Sequence, residues 1–200
     1  MKKSHFRAIE IFKKNNNILR SQQAIKAGIS PRTLYELVES GHLIRITRGL
    51  YQLASAEPFS IPDIIPVILK IPKAVLCAVS ALNYYGLTTQ IPHQIDIALP
   101  QKAEKPRMDY PPLRIFWLSQ KTYLAGITEE KTDLIRFKIY NREKTVCDCF
   151  KFRNRIGIDV AVEALQLYLR TPARNIPSLL DYAKIDRVEN LIKPYIQALV

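Results

Sequence analysis

Five side chains in the first quarter of the chain have types and spacings suited to reading a polyanion. Arg32, Thr33 and Tyr35 follow closely on Ser30-Pro31, and Arg45 and Arg48 lie within and just after the short alternation HLIRIT. An arginine can donate two parallel hydrogen bonds to one guanine edge, and a threonine methyl can meet a thymine methyl, when a helix carries both into a major groove. Arg48 precedes Gly49, and a cation at a hairpin tip can touch phosphates or enter a minor groove.

Rival chemistries are thinner. Asp96 with Glu129-Glu130-Lys131 would suit a Mg²⁺ nuclease, the carboxylates holding metal and the lysine steadying transition-state charge, but a loop and a different strand separate the two groups. His5, His42 and His93 fall in a chain start, after a helix stop and in a Pro-flanked loop, without a GxSxG motif beside them. His42, next to Gly41, suits a helix cap or a DNA-facing position. Cys77, Cys147 and Cys149 form no CxxC pair and read as reduced structural thiols. Neither a P-loop nor a Rossmann glycine pattern is present, so no cofactor is expected.

The elements that must position the five residues are legible. Phe6, Ile9 and Phe12 make a helical stripe facing one core, ended by Asn15-Asn16-Asn17. Ser21 is suited to cap a second helix that Gly28 closes. A third helix has Ser30 as cap, Pro31 at its first position, Leu34, Leu37 and Val38 inward, and Gly41 as stop. Arg32, Thr33, Tyr35, Glu36 and Glu39 are then outward, with Arg32 and Glu36 also spaced as an i,i+4 pair. Glu36 and Glu39 would repel phosphate unless they lie off the groove or, for Glu36, accept from a cytosine amino group. HLIRIT alternates, with Leu43 and the isoleucines inward and Arg45 and Thr47 outward, before Arg48-Gly49 turns the chain back into LYQL.

Charge agrees with that placement. The chain carries 30 Lys plus Arg against 18 Asp plus Glu, and residues 1–53 hold ten basic and three acidic residues of that total. The excess favours an anionic partner and is densest over the helix-helix-hairpin segment. With 48% hydrophobic residues and no run near the roughly 18 apolar residues of a membrane helix, the expectation is a globular cytoplasmic protein that touches no membrane.

The period lapses across ASAEPFS, so residues 1–53 are expected as one domain, 54–60 as a linker and 61–200 as a second domain. In the latter, AVLCAVSALNYYGLT reads as a buried helix, and QIDIAL, LRIFWLS and RFKIY as strands around an exposed loop at 100–112. Helices are expected over 142–152, over IDVAVEALQLYLR, and beyond Asn175. Within 142–155 the apolar side should cover the sheet, leaving Lys144, Lys151 and Arg155 solvated. The fold class is α+β: an amino-terminal winged helix-turn-helix followed by a mixed α/β domain.

The blocks GISPRTLYELVESGHLIRITRGLYQL, SALNYYGLT with IPHQIDIALP, and REKTVCDCFKFRNRIGIDVAVEAL, in that order, resemble the AbiE-type antitoxin family, the AbiEi proteins called predicted transcriptional regulators of viral defence systems. The resemblance spans nearly the whole chain. It implies a repressor of its own operon, bound to inverted repeats in duplex DNA with room for two copies per operator. It also implies an antitoxin of a type IV abortive-infection pair, whose nucleotidyltransferase-type toxin need not be contacted. The DNA-reading positions it carries over are Arg32, Thr33, Tyr35, Arg45 and Arg48, and it hands over no catalytic residue. A winged-helix adaptor for another protein is the alternative.

Overall fold

The computed structural model describes residues 2–57, 61–132 and 135–199, so Pro58 to Ser60 of the expected linker lie outside the described residues. Two compact units emerge, one centred on Met1–Pro66 and the other on Val67–Lys131 with Ile135–Val200.

The first unit runs α1 (Lys3–Lys14), β1 (Ile18–Arg20), α2 (Ser21–Lys26), α3 (Pro31–Glu39), β2 (Leu43–Thr47) and β3 (Leu50–Leu53). The strands form an antiparallel sheet in the order β1-β3-β2. This is the element order of a winged helix-turn-helix. Its core joins Phe12 of α1, Ala24 of α2, Leu34 and Leu37 of α3, and Leu43, Tyr51 and Leu53 of the hairpin. Leu37 is fully buried, and truncating such a leucine to alanine costs about 2–5 kcal/mol.

Glycine shapes both ends of the reading helix. After α2, Gly28 takes φ +89°, its N–H donates to Ile25 O and that of Ile29 to Ala24 O, both at 2.9 Å. This Schellman turn satisfies the last carbonyls of α2 and buries Ile29, which sets the angle at which α3 departs. After α3 the arrangement repeats with Gly41 and His42, whose N–H groups donate to Val38 O and Leu37 O.

In α1 and α2 two sequence expectations fail. The buried face of α1 is His5, Ala8 and Phe12, while Phe6 is 58% exposed. Phe6 lies about 100° around the helix from His5, and the i, i+3, i+7 stripe that includes His5 is the one that meets α3. Likewise Ser21 is the first helical residue of α2 rather than its cap. Arg20 precedes it, with its N–H held by Gln23 Oε1 at 3.0 Å.

After α4 (Ile64–Lys70), the second unit comprises β4 (Val75–Leu76), α5 (Ala78–Tyr85), β5 (Ile95–Pro100), β6 (Leu113–Leu118), α6 (Gln120–Leu124), β7 (Ile127–Thr132) and β8 (Ile135–Tyr140). It continues with α7 (Arg142–Lys151), α8 (Arg153–Ile156), α9 (Ile158–Arg170), α10 (Ile176–Asp186) and α11 (Glu189–Leu199). Its mixed sheet has the order β6-β5-β4-β8-β7, with β4 parallel to β8, β5 parallel to β6, and β4 antiparallel to β5. Helix α7 packs on α5, α9 and α10. The expected helix from Ala74 onward begins later, because Val75-Leu76 pairs with β5 and β8 as the central strand.

The reading of Lys144 and Lys151 as solvated charges is overturned, whereas Arg155 is exposed as expected. Lys144 is fully buried, ion-paired to Asp148 at 2.5 Å and to Asp186 at 3.1 Å, and Lys151 reaches Asp186 at 3.1 Å. The two carboxylates hold the Lys144 ammonium above its usual pKa, although burial alone would pull it down. Arg155 lays its guanidinium over Phe116, 4.3 Å from the ring centre, and donates to Ile115 O.

Candidate nucleic-acid interface

Helix α3 starts from a tight cap. Ser30 Oγ accepts from Thr33 N at 3.1 Å, and the two hydroxyls lie 2.9 Å apart. Thr33 is thereby turned inward, only 9% exposed, rather than outward as the helical stripe implied. Its hydroxyl is committed to the cap, which removes its methyl from the outer face.

Arg32 and Tyr35 do point outward: the Arg32 side chain is 86% exposed and Tyr35 is 63% exposed. Arg32 Nε donates to Glu36 Oε1 at 3.0 Å, so the i,i+4 pairing is realised through Nε alone. Glu36 is the hub of this face, since Lys2 Nζ lies 3.1 Å from both its oxygens and His5 Nε2 2.8 Å from Oε2. Hydrogen bonds from His5, Lys2 and Arg32 hold its carboxyl down to about 2. Its charge is thus answered three times over, and both oxygens are occupied where a cytosine amino group would have to bind. Among the described residues, Glu39 makes no ion pair.

The wing is a two-residue turn. Thr47 pairs with Leu50, Gly49 has φ +78°, and a bulge lies between Arg45 and Thr47. Ser21 N donates to Gly49 O at 2.9 Å, tying the tip of the hairpin to the start of α2. Arg45 and Arg48 are both exposed, and neither forms an ion pair among the described residues. Ile44 is not inward but 50% exposed, because alternation from the buried Leu43 turns it to the opposite face of the strand. His42 is exposed, with Nδ1 3.0 Å from Ser40 Oγ at the end of α3.

Thus Arg32 and Tyr35 on one helix and Arg45 and Arg48 on one hairpin are exposed in the same compact unit, whereas Thr33 supports the helix start. Sequence reasoning missed Lys3 and Arg7 of α1. They line a cavity of about 280 Å³ with Gly28 and Thr33, adding two cations at the helix-turn-helix corner. Their i,i+4 spacing was the available signal.

In the second unit, Asp96 is consumed structurally. It accepts from Arg114 Nε at 2.7 Å and Nη2 at 2.6 Å, and from Val79 N at 3.0 Å. Burial nevertheless pushes its carboxyl up. Glu129 and Glu130 stand on β7, three strand positions from β5 and so about 14 Å away, which separates the two halves of the supposed metal site. Among the described residues, no three His, Cys, Asp or Glu side chains gather to hold a metal ion. The three cysteines are buried, and burial pushes their thiols up. Among the described residues no helix is long and apolar enough to cross a membrane.

A helix-turn-helix with a basic hairpin defines the class of the first unit. Residues 7–54, covering most of α1 and all of α2, α3 and the wing, match the family model described as "Transcriptional regulator, AbiEi antitoxin", which supports a regulatory role for the chain. Across 98% of its length the chain shares a fold with 82% of the RV2827C protein from Mycobacterium tuberculosis, known from a crystal structure, at a TM-score of 0.56 and 12% identity. No curated protein matches.

Proposed function

We propose that the chain is a sequence-specific DNA-binding transcriptional repressor acting as the antitoxin of a type IV, abortive-infection toxin–antitoxin operon. The observation that carries this reading is the exposure of Arg32 and Tyr35 on α3 together with Arg45 and Arg48 on the wing, inside the segment that matches a regulator family. Helix α3 enters the major groove by its amino end, Arg32 reads a base through its Nη edge, and the wing grips the flanking phosphates. Bound protein occludes the promoter, and no catalytic step is required. In this reading residues 1–53 are the DNA-reading domain, 54–60 the linker and 61–200 the antitoxin domain. Two copies occupy the inverted repeats of the operator in the cytoplasm, and the nucleotidyltransferase-type toxin is countered without a stable complex.

A mobility-shift titration on the promoter immediately upstream of its own gene, with scrambled duplex as competitor, tests this. A specific shift is expected, and Arg32→Ala should cost about 1–3 kcal/mol and relax preference at one base position. Equal binding to scrambled duplex refutes the repressor, and uniform loss at every position refutes Arg32 as a reader. A second reading, a protein-binding adaptor, is favoured by the exposure of Phe6 (58%), Ile25 (48%) and Ile44 (50%). It requires binding without the steep salt dependence of phosphate contacts.

A further inference from the structure

Beyond DNA reading, the second unit contains a pocket to which neither the family match nor the fold likeness assigns a role. It has a volume of about 440 Å³, within the range of small-ligand sites. It opens where β5 and β6, two parallel neighbours, both end: Gln101 follows one strand, Ser119 the other, and Gln101 N donates to Leu118 O at 2.8 Å. Open α/β sheets place ligands outside the carboxyl ends of their strands.

The lining is strongly cationic. Lys121 comes from α6, Lys151 from α7, Lys184 from α10 and Arg187 from the residue just after it. The one carboxylate in the lining, Asp186, is 3% exposed and already answered by Lys144 and Lys151. Lys184 shares its charge with the exposed Asp181 at 3.3 Å. Lys121 and Arg187 are exposed and have no ion-pair partner among the described residues. Trp117 adds a flat ring, 41% exposed and fixed by an Nε1–H bond to Ala103 O at 3.2 Å. A pocket with an excess of cations and a restrained aromatic face fits a phosphate ester that carries a planar ring, while the Ser119 and Thr122 hydroxyls on its wall bond to each other in the cap of α6.

We propose that this pocket binds a nucleotide, with its base against Trp117 and its phosphates among Lys121, Lys184 and Arg187. Trp117 is the only tryptophan in the chain, so its fluorescence reports the site directly. Titration of the full chain with ATP should give a saturable change, with uncharged adenosine giving none over the same range. Lys121→Glu and Arg187→Glu should each weaken ATP at least about tenfold through charge reversal at unpaired, exposed positions, with the circular dichroism spectrum unchanged. No saturable change up to about 5 mM ATP, where only very weak binding would remain unseen, overturns the proposal, as does unchanged affinity in both variants. Inorganic triphosphate binding as tightly as ATP overturns the role of the base. Displacement of ATP by random duplex at equal phosphate concentration overturns it in favour of a second nucleic-acid surface.

Discussion

Removing both cations of the wing gives the sharpest test of the proposed interface. Arg45 and Arg48 are exposed, and among the described residues neither is ion-paired. Replacing them with alanine should therefore change stability by less than about 0.5 kcal/mol and leave the fold intact. If each neutralises one phosphate, each contributes about 0.9 to the slope of log affinity against log salt concentration. Raising salt from about 50 to 200 mM then weakens the wild type roughly 3.5-fold more per contact, or about 12-fold more for the pair, than Arg45→Ala/Arg48→Ala. Fluorescence anisotropy of labelled operator and scrambled duplex, at several salt concentrations, measures both slopes. The loss should be similar on the two duplexes, because phosphates carry no sequence. Identical slopes for wild type and double variant would refute the wing as a phosphate contact, whatever the change in absolute affinity.

Two further predictions concern the charges that hold each unit together. Lys144→Met leaves Asp148 and Asp186 buried with one cation fewer and should cost about 3–5 kcal/mol in urea denaturation. Adding Asp148→Asn should restore more than half of that loss, since Asp186 keeps Lys151, and equal destabilisation of single and double variants would refute the account. Glu36, held near 2 in the folded chain against an ordinary 4.5, stabilises fully above the ordinary value, and that contribution is lost as pH falls from 4.5 towards 2. The melting temperature of Glu36→Gln should accordingly lie below that of wild type at neutral pH and converge with it near pH 2. A constant gap across that range would show that Glu36 acts through packing rather than charge.

What the sequence disclosed follows from the range of the interactions involved. Ser30, Pro31, Gly28 and Gly41 act on their own turns, so α3 and the wing could be placed from neighbouring residues alone. Thr33 misled for a local reason too: helical periodicity put it outside, but its hydroxyl bonds to the cap three residues back. Val75-Leu76 misled for a distant one, because an apolar pair becomes a strand only when β5 and β8 supply its partners. Strand β7, ITEEKT, offers three charges in six residues and no apolar alternation, so only its place at the sheet edge explains it. Lys144 is the extreme case. Its own helix contributes Asp148, but Asp186 arrives from α10, and without that second carboxylate a lysine at this position would be expected to face water. The same holds for the pocket beside Trp117, whose cations come from α6, α7 and the end of α10. Charges that look solvated in sequence become a buried network or a converging site only through the fold. Functional surfaces of the second unit therefore have to be sought among residues distant in the chain, whereas the interface proposed for the first lies within one contiguous segment.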